Sequence, residues 1–200
     1  MGRTSTARER LLETTGELMH SRSYASLGVA EICAEAGVKK GSFYHFFESK
    51  QALTAAVATS YWQDQRACWT AALAGPEPAL SRLQRLLTAL TSAQRARKET
   101  TGAVDGCLLG NLALELSNTE PDVRACLDQA FAEQTALIAA TIEEAAAEGT
   151  VPRGRATTAT ARAVIAQLEG LVLFAKLKND PTVLDTLWSD TLLLLGARQG

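Results

Sequence analysis

The sequence predicts an all-α protein of about nine helices, and three observations carry that prediction. Apolar positions recur at helical spacing through most of the chain, as at Leu80, Leu83, Leu87 and Leu90. No stretch alternates apolar and polar residues for long enough to make a strand. Breaks fall at intervals suited to helices: Ser21 to Ser26, Ala36-Gly37, Glu48-Ser49, Gly75-Pro76, Thr100 to Gly102, Ser117 to Pro121, Gly149 to Gly154 and Asn179 to Pro181.

Size and composition narrow the functional classes. The 200 residues, 46% of them hydrophobic and 21% charged, suffice for a sizeable core and do not describe a disordered chain. A formal net charge of −2 gives no global positive field, so any nucleic-acid partner must meet a local patch. The apolar runs read as shorter than the ~20 residues of a membrane span, and the N-terminus lacks the apolar core of a signal peptide. No membrane partner and a cytoplasmic location are therefore expected. Cysteines at 33, 68, 107 and 126 and histidines at 20 and 45 make neither C-x-x-C nor H-E-x-x-H, so no metal, disulfide or cofactor is expected. Without a Gly-rich phosphate loop or a Ser/His/Asp constellation, an enzyme is not expected either.

Taken in order, the elements separate into a head and a body. Arg8 to Leu18 reads as a first helix, with His20 at its end. Ser26 is placed to cap a second helix, in which Val29, Ile32 and Cys33 form one apolar face. Gly37 is suited to a left-handed helix end, and Val38 re-enters the core. A short third helix follows over Lys39 to Phe46. At about 100° per residue, Lys40, Gly41, Tyr44 and His45 share one arc of about 140°, with Phe43 turned inward. Cations and hydroxyls for phosphates, beside a bare glycine that admits a close backbone, are what a duplex requires. Ser49 caps a long fourth helix and puts Lys50 in its first turn. Residues 1–53 carry seven Lys or Arg against six Asp or Glu, while residues 54–200 carry 13 against 16. The head is thus residues 1–53 and the body 54–200.

The run Ala36-Gly37-Val38-Lys39-Lys40-Gly41-Ser42-Phe43-Tyr44-His45-Phe46-Phe47-Glu48-Ser49-Lys50 closely resembles the DNA-binding signature of the TetR family of bacterial repressors. Residues 6–53 carry the resemblance, and total length and helix count agree beyond it. It implies a helix-turn-helix whose third helix enters the major groove, with DNA contacts at Lys39, Lys40, Gly41, Ser42, Tyr44, His45 and Lys50, and Ser26 or Leu27 near the DNA backbone. Lys39 departs from the small residue or proline common there. A body that binds a small-molecule effector and forms a homodimer is likewise implied. Tyr61, Trp62, Trp69, Leu86, Leu90, Cys107, Leu108, Asn111, Glu115 and Phe174 are the candidate effector wall. Few charges occur among them, which suits an apolar or aromatic effector. Gly106-Cys107-Leu108 at the start of the sixth helix is also similar to family members that respond to electrophiles such as N-ethylmaleimide. A thiol at a helix N-terminus favours the reactive thiolate, although Asp105 beside it opposes this. Cys33, Cys68 and Cys126 read as packing residues.

The last two helices, Thr157 to Lys178 and Pro181 to Leu195, supply the expected dimer interface. One carries the small residues Ala159, Ala163, Ala166 and Gly170; the other carries Leu184, Leu187, Trp188, Leu192 and Leu195. Two copies in a four-helix arrangement would bury both. A helical ligand-binding or adaptor protein whose head no longer reads DNA is the alternative.

Overall fold

Each predicted break separates two helices. The computed structural model describes residues 2–197, with side chains from residue 7. Within them lie nine α-helices: α1 (Gly2–Ser21), α2 (Val29–Glu35), α3 (Lys40–Phe46), α4 (Lys50–Leu73), α5 (Ala79–Thr101), α6 (Leu108–Leu116), α7 (Pro121–Ala147), α8 (Thr158–Lys178) and α9 (Leu187–Leu195). Among the described residues there is no strand. The stops follow residue chemistry. Gly37, Gly102 and Gly149 sit at φ of 61°, 79° and 78°, where a Cβ would be strained. Asn179 does the same for α8 at φ 49°.

Starts are less uniform. Ser49 Oγ accepts from Ala52 N at 3.0 Å, as expected for α4. Thr157 Oγ1 likewise accepts from Thr160 N at 3.1 Å ahead of α8. Ser26 does not cap α2. It closes a separate 3₁₀ turn, Tyr24–Ser26, whose own cap is Ser23, and α2 begins after Gly28 without a side-chain cap. The expected last helix is also divided, because Asp180 caps a 3₁₀ segment, Pro181–Thr186, before α9 begins.

The chain forms two compact units, and their division differs from a single cut at residue 53. The first comprises residues 1–64 and 107–130, the second residues 65–106 and 131–200. In the first, α1, α2 and α3 pack on one another and α6 packs on α1. Its core includes Leu11, Leu27, Ile32, Phe43, Leu53, Leu108 and Leu112. Cys33 belongs to this core, and burial pushes its thiol pKa up.

The second unit is built on α8, which packs against the 3₁₀ segment and α9, with α5 touching both. Arg82, itself buried, donates to Leu73 O at 2.6 Å and to Glu144, tying α5 to the end of α4 and to α7. Glu148 accepts from Ala79 N and so caps α5 from a distance. Asn179 donates to Gly102 O and accepts from Val104 N, at 3.1 and 2.9 Å. Cys68 is exposed, against its reading as a packing residue, because the buried aromatic of this segment is Trp69.

Two expectations about α8 and α9 change. Leu184, Leu187 and Leu195 are buried within the unit and cannot supply an interface. The outward face consists of Leu173, Phe174 and Leu177 on α8 and Leu193 on α9, at 53%, 52%, 75% and 75% exposure. Ala166, Gly170, Leu173, Phe174 and Leu177 share an arc of about 100° on α8. A helix apolar on both faces scores accordingly: contrary to the sequence reading, α8 is long and apolar enough to cross a membrane, by length and composition only. About one-third of that apolar window is buried inside the unit, including Val164, Ile165, Leu168 and Val172.

Candidate functional site

α3 is held by its ends and by one ring. Lys39 is extended at the cap, and its carbonyl accepts from Ser42 N and Phe43 N at 2.8 and 3.2 Å. Phe43 is fully buried, edge-on to Tyr44 at 5.1 Å and 6.0 Å from Phe47. Arg8 lies over the Phe47 ring at 5.4 Å, which fastens the end of α3 to α1. With Phe43 turned in, Lys39, Lys40, Gly41, Ser42, Tyr44 and His45 are all exposed, Tyr44 at 54%. A Cβ built on Gly41 would meet nothing within 4 Å, so a bare patch of backbone faces outward.

The turn before α2 is where the sequence reading needs correction. Leu27 is 1% exposed, so its side chain belongs to the core rather than the surface. Ser26 remains at the surface, where its hydroxyl donates to Ser23 O at 2.8 Å. Lys50 was expected on a phosphate. Instead its Nζ donates to Tyr24 O and Leu27 O at 3.0 and 2.9 Å and lies 3.8 Å from the Tyr24 ring centroid. Two of its three protons are thus given to the protein's own main chain.

Glu115 is also reassigned. Its carboxylate accepts from Tyr24 N at 2.9 Å and Ala25 N at 3.0 Å, so it faces this turn rather than an effector. The Tyr24 hydroxyl donates to Glu120 at 3.4 Å, and its pKa is pushed up to about 12, first by burial and then by the Glu120 charge. Arg22 pairs with Glu31 at 2.5 Å across the same turn and holds that carboxyl below its usual range. Nothing in the sequence pattern joins positions 24 and 115, so the clamp could not be read in advance.

The remaining effector candidates divide between the two units. In the first, Tyr61 and Leu108 share a recess of about 410 Å³ with Glu9, Glu13, Glu17, His20 and Asp64. Leu12 and Val57 give it apolar wall beside these four carboxylates, so its lining is mixed rather than purely apolar. Trp62 is buried and Asn111 half-buried in the same unit. Cys107 is half-buried at the cap of α6, where its Sγ accepts from Gly110 N at 3.4 Å. In the second unit Trp69 and Leu86 are buried and Leu90 is half-buried. Phe174 is half exposed, on the outer face of α8. Asp105, expected to act on Cys107, is engaged by Arg97 at 2.5 Å. Among the described residues no His, Cys, Asp and Glu cluster is arranged for a metal ion.

A helix-turn-helix with an exposed polar third helix, followed by a helical body, defines a DNA-binding regulator. Comparison with known proteins agrees. The profile described as bacterial regulatory proteins, tetR family, matches residues 11–57, and that of the tetracyclin repressor-like C-terminal domain matches residues 79–190. The repressor DhaR of Mycobacterium sp. (strain GP1) is 32% identical over 186 residues, covering 92% of this chain and 89% of that one. A regulatory protein TetR from Rhodobacter sphaeroides superposes with a TM-score of 0.82 at 30% identity, over 92% of this chain and 96% of its own. The reduced form of Escherichia coli NemR gives 0.80 at 25% identity, over 96% and 99%. The chain belongs to the TetR family, whose members are transcriptional regulators and not enzymes.

Proposed function

We propose that this chain is a cytoplasmic repressor that binds a roughly palindromic operator as a homodimer and leaves it when a small molecule or an electrophile acts on the body. One observation carries the DNA half: six consecutive or near-consecutive positions, 39–42, 44 and 45, face outward together because Phe43 is buried. Lys39 and Lys40 suit phosphates, Tyr44 and His45 suit base edges or sugar, and Gly41 lets the backbone approach. Residues 1–53 are the reading part in this proposal, and residues 54–200 bind the effector and the second copy.

The outer face of α8 and α9 supports the homodimer, since its four exposed large apolar side chains, three on α8 and Leu193 on α9, would be covered by a two-fold mate. Such a pair presents two reading helices one duplex turn apart. Effector binding then shifts the population toward dimers with the wrong spacing. An electrophile at Cys107 is the effector reading that a specific residue favours: the sulfur stands at the N-cap of α6, and the solved E. coli relative NemR is described in a reduced form.

Electrophoretic mobility on the chain's own upstream DNA tests this proposal. Binding that weakens steeply with salt is expected, and N-ethylmaleimide should release the unaltered chain but not Cys107→Ser. A purified chain indifferent to every duplex at low ionic strength would leave the helical adaptor as the better description.

A further inference from the structure

The turn Tyr24–Leu27 lies between α1 and α2 and sets where the helix-turn-helix begins. It is gripped at both ends by opposite charges from distant helices. At its N-terminal end the Glu115 carboxylate, on α6, takes the amide protons of Tyr24 and Ala25. The Lys50 ammonium, on α4, donates to the carbonyls of Tyr24 and Leu27, the first and last residues of the turn, and lies over the Tyr24 ring. Each sign suits the group it meets: an anion accepts amide protons, and a cation donates to carbonyl oxygens, that of Tyr24 also accepting from Leu27 N at 3.2 Å. All four are charge-assisted hydrogen bonds at 2.9–3.0 Å, the stronger kind. Side-chain and main-chain partners are separated by up to 91 residues, so this is not a local cap.

We infer that Glu115 and Lys50 are positioning residues for DNA reading: together they clamp the turn and make α6 a direct holder of the reading head. The inference rests on α3 being the DNA-reading helix. It adds that the head's pose is set by α6 through main-chain amides. α6 also packs on α1, so it meets the head at two places within the same unit.

Electrostatics makes the test unambiguous in sign. Glu115 is an anion on a DNA-binding protein, so removing it should, by long-range charge alone, strengthen DNA binding. Positioning predicts the opposite. The probe is a duplex selected by the unaltered chain from a random library, with affinities measured at several salt concentrations. Glu115→Ala should bind it about tenfold more weakly, with an unchanged slope of log K on log salt, since no phosphate contact is lost. Hydrogen exchange at the Tyr24 and Ala25 amides should speed up while the thermal midpoint of the body stays in place. Glu115→Gln keeps one acceptor oxygen and should fall between, which guards against a misfolded Ala variant. Equal or tighter binding by Glu115→Ala overturns the clamp and leaves the DNA-reading proposal intact. Failure of the unaltered chain to select any duplex overturns both.

Discussion

The molecule leaves two kinds of surface uncovered, and they are chemical opposites. On α3 the outward positions are two lysines, a serine, a tyrosine, a histidine and a glycine. On α8 and α9 they include three leucines and a phenylalanine, Leu173, Leu177, Leu193 and Phe174. Each helix spends its apolar residues inward first, Phe43 in one case and Val164, Leu168 and Val172 in the other. What is left over differs, and the remainder selects the partner: a polyanion for the first, another apolar face for the second. The comparison teaches that an exposed residue is informative only after its helix has already filled its own core.

The sharpest way to break this contrast is to charge the apolar face. Leu173→Asp with Leu177→Asp should convert a dimer to a monomer in analytical ultracentrifugation. Operator affinity should fall by about 100-fold or more as one half-site is lost. A variant that stays dimeric would remove α8 from the interface. On the polar face, the two lysines of the head should behave differently. Lys40→Ala should weaken operator binding by roughly 5- to 30-fold and reduce the salt slope by about one, as a lost phosphate contact does. Lys50→Met should weaken binding without changing that slope, because its ammonium is spent on Tyr24 and Leu27 carbonyls. The smallest expected effect concerns Tyr24. Its folded-state pKa of about 12 stands above the usual 10, so the folded state keeps the proton longer. That contribution is complete below pH 10 and is lost as pH rises toward 12. The drop in melting temperature between pH 9 and pH 11 should therefore be smaller for Tyr24→Phe than for the unaltered chain.

The reading helix was legible because it is one contiguous run. Helical spacing put Lys40, Gly41, Tyr44 and His45 on one side and Phe43 on the other, and the structure exposes and buries them accordingly. Glycine stops were legible for the same reason, since a left-handed φ is a property of one residue. Where two helices share a duty, sequence spacing failed. Leu184, Leu187 and Leu195 were expected at an interface, yet a leucine stripe looks alike whether its mate is α8 or a second copy. Lys50 was expected to face a phosphate because the N-terminus of a helix attracts anions. The competing carbonyls of Tyr24 and Leu27 lie more than twenty residues earlier, and only the folded chain brings them there. Phe174 resembled a pocket wall by residue type alone. Its position on α8, four residues beyond Gly170, was the signal that placed it outside.

The grip on Tyr24 and Ala25 also limits how this stretch can diverge. Glu115 reads protons that every residue type except one carries, so the grip does not depend on which side chain stands at position 25. Proline alone is barred there, for want of the hydrogen and because its ring disfavours the helical backbone of Tyr24 before it. An Ala25→Pro chain should keep its helical content by circular dichroism yet lose its duplex, while Ala25→Ser should keep both.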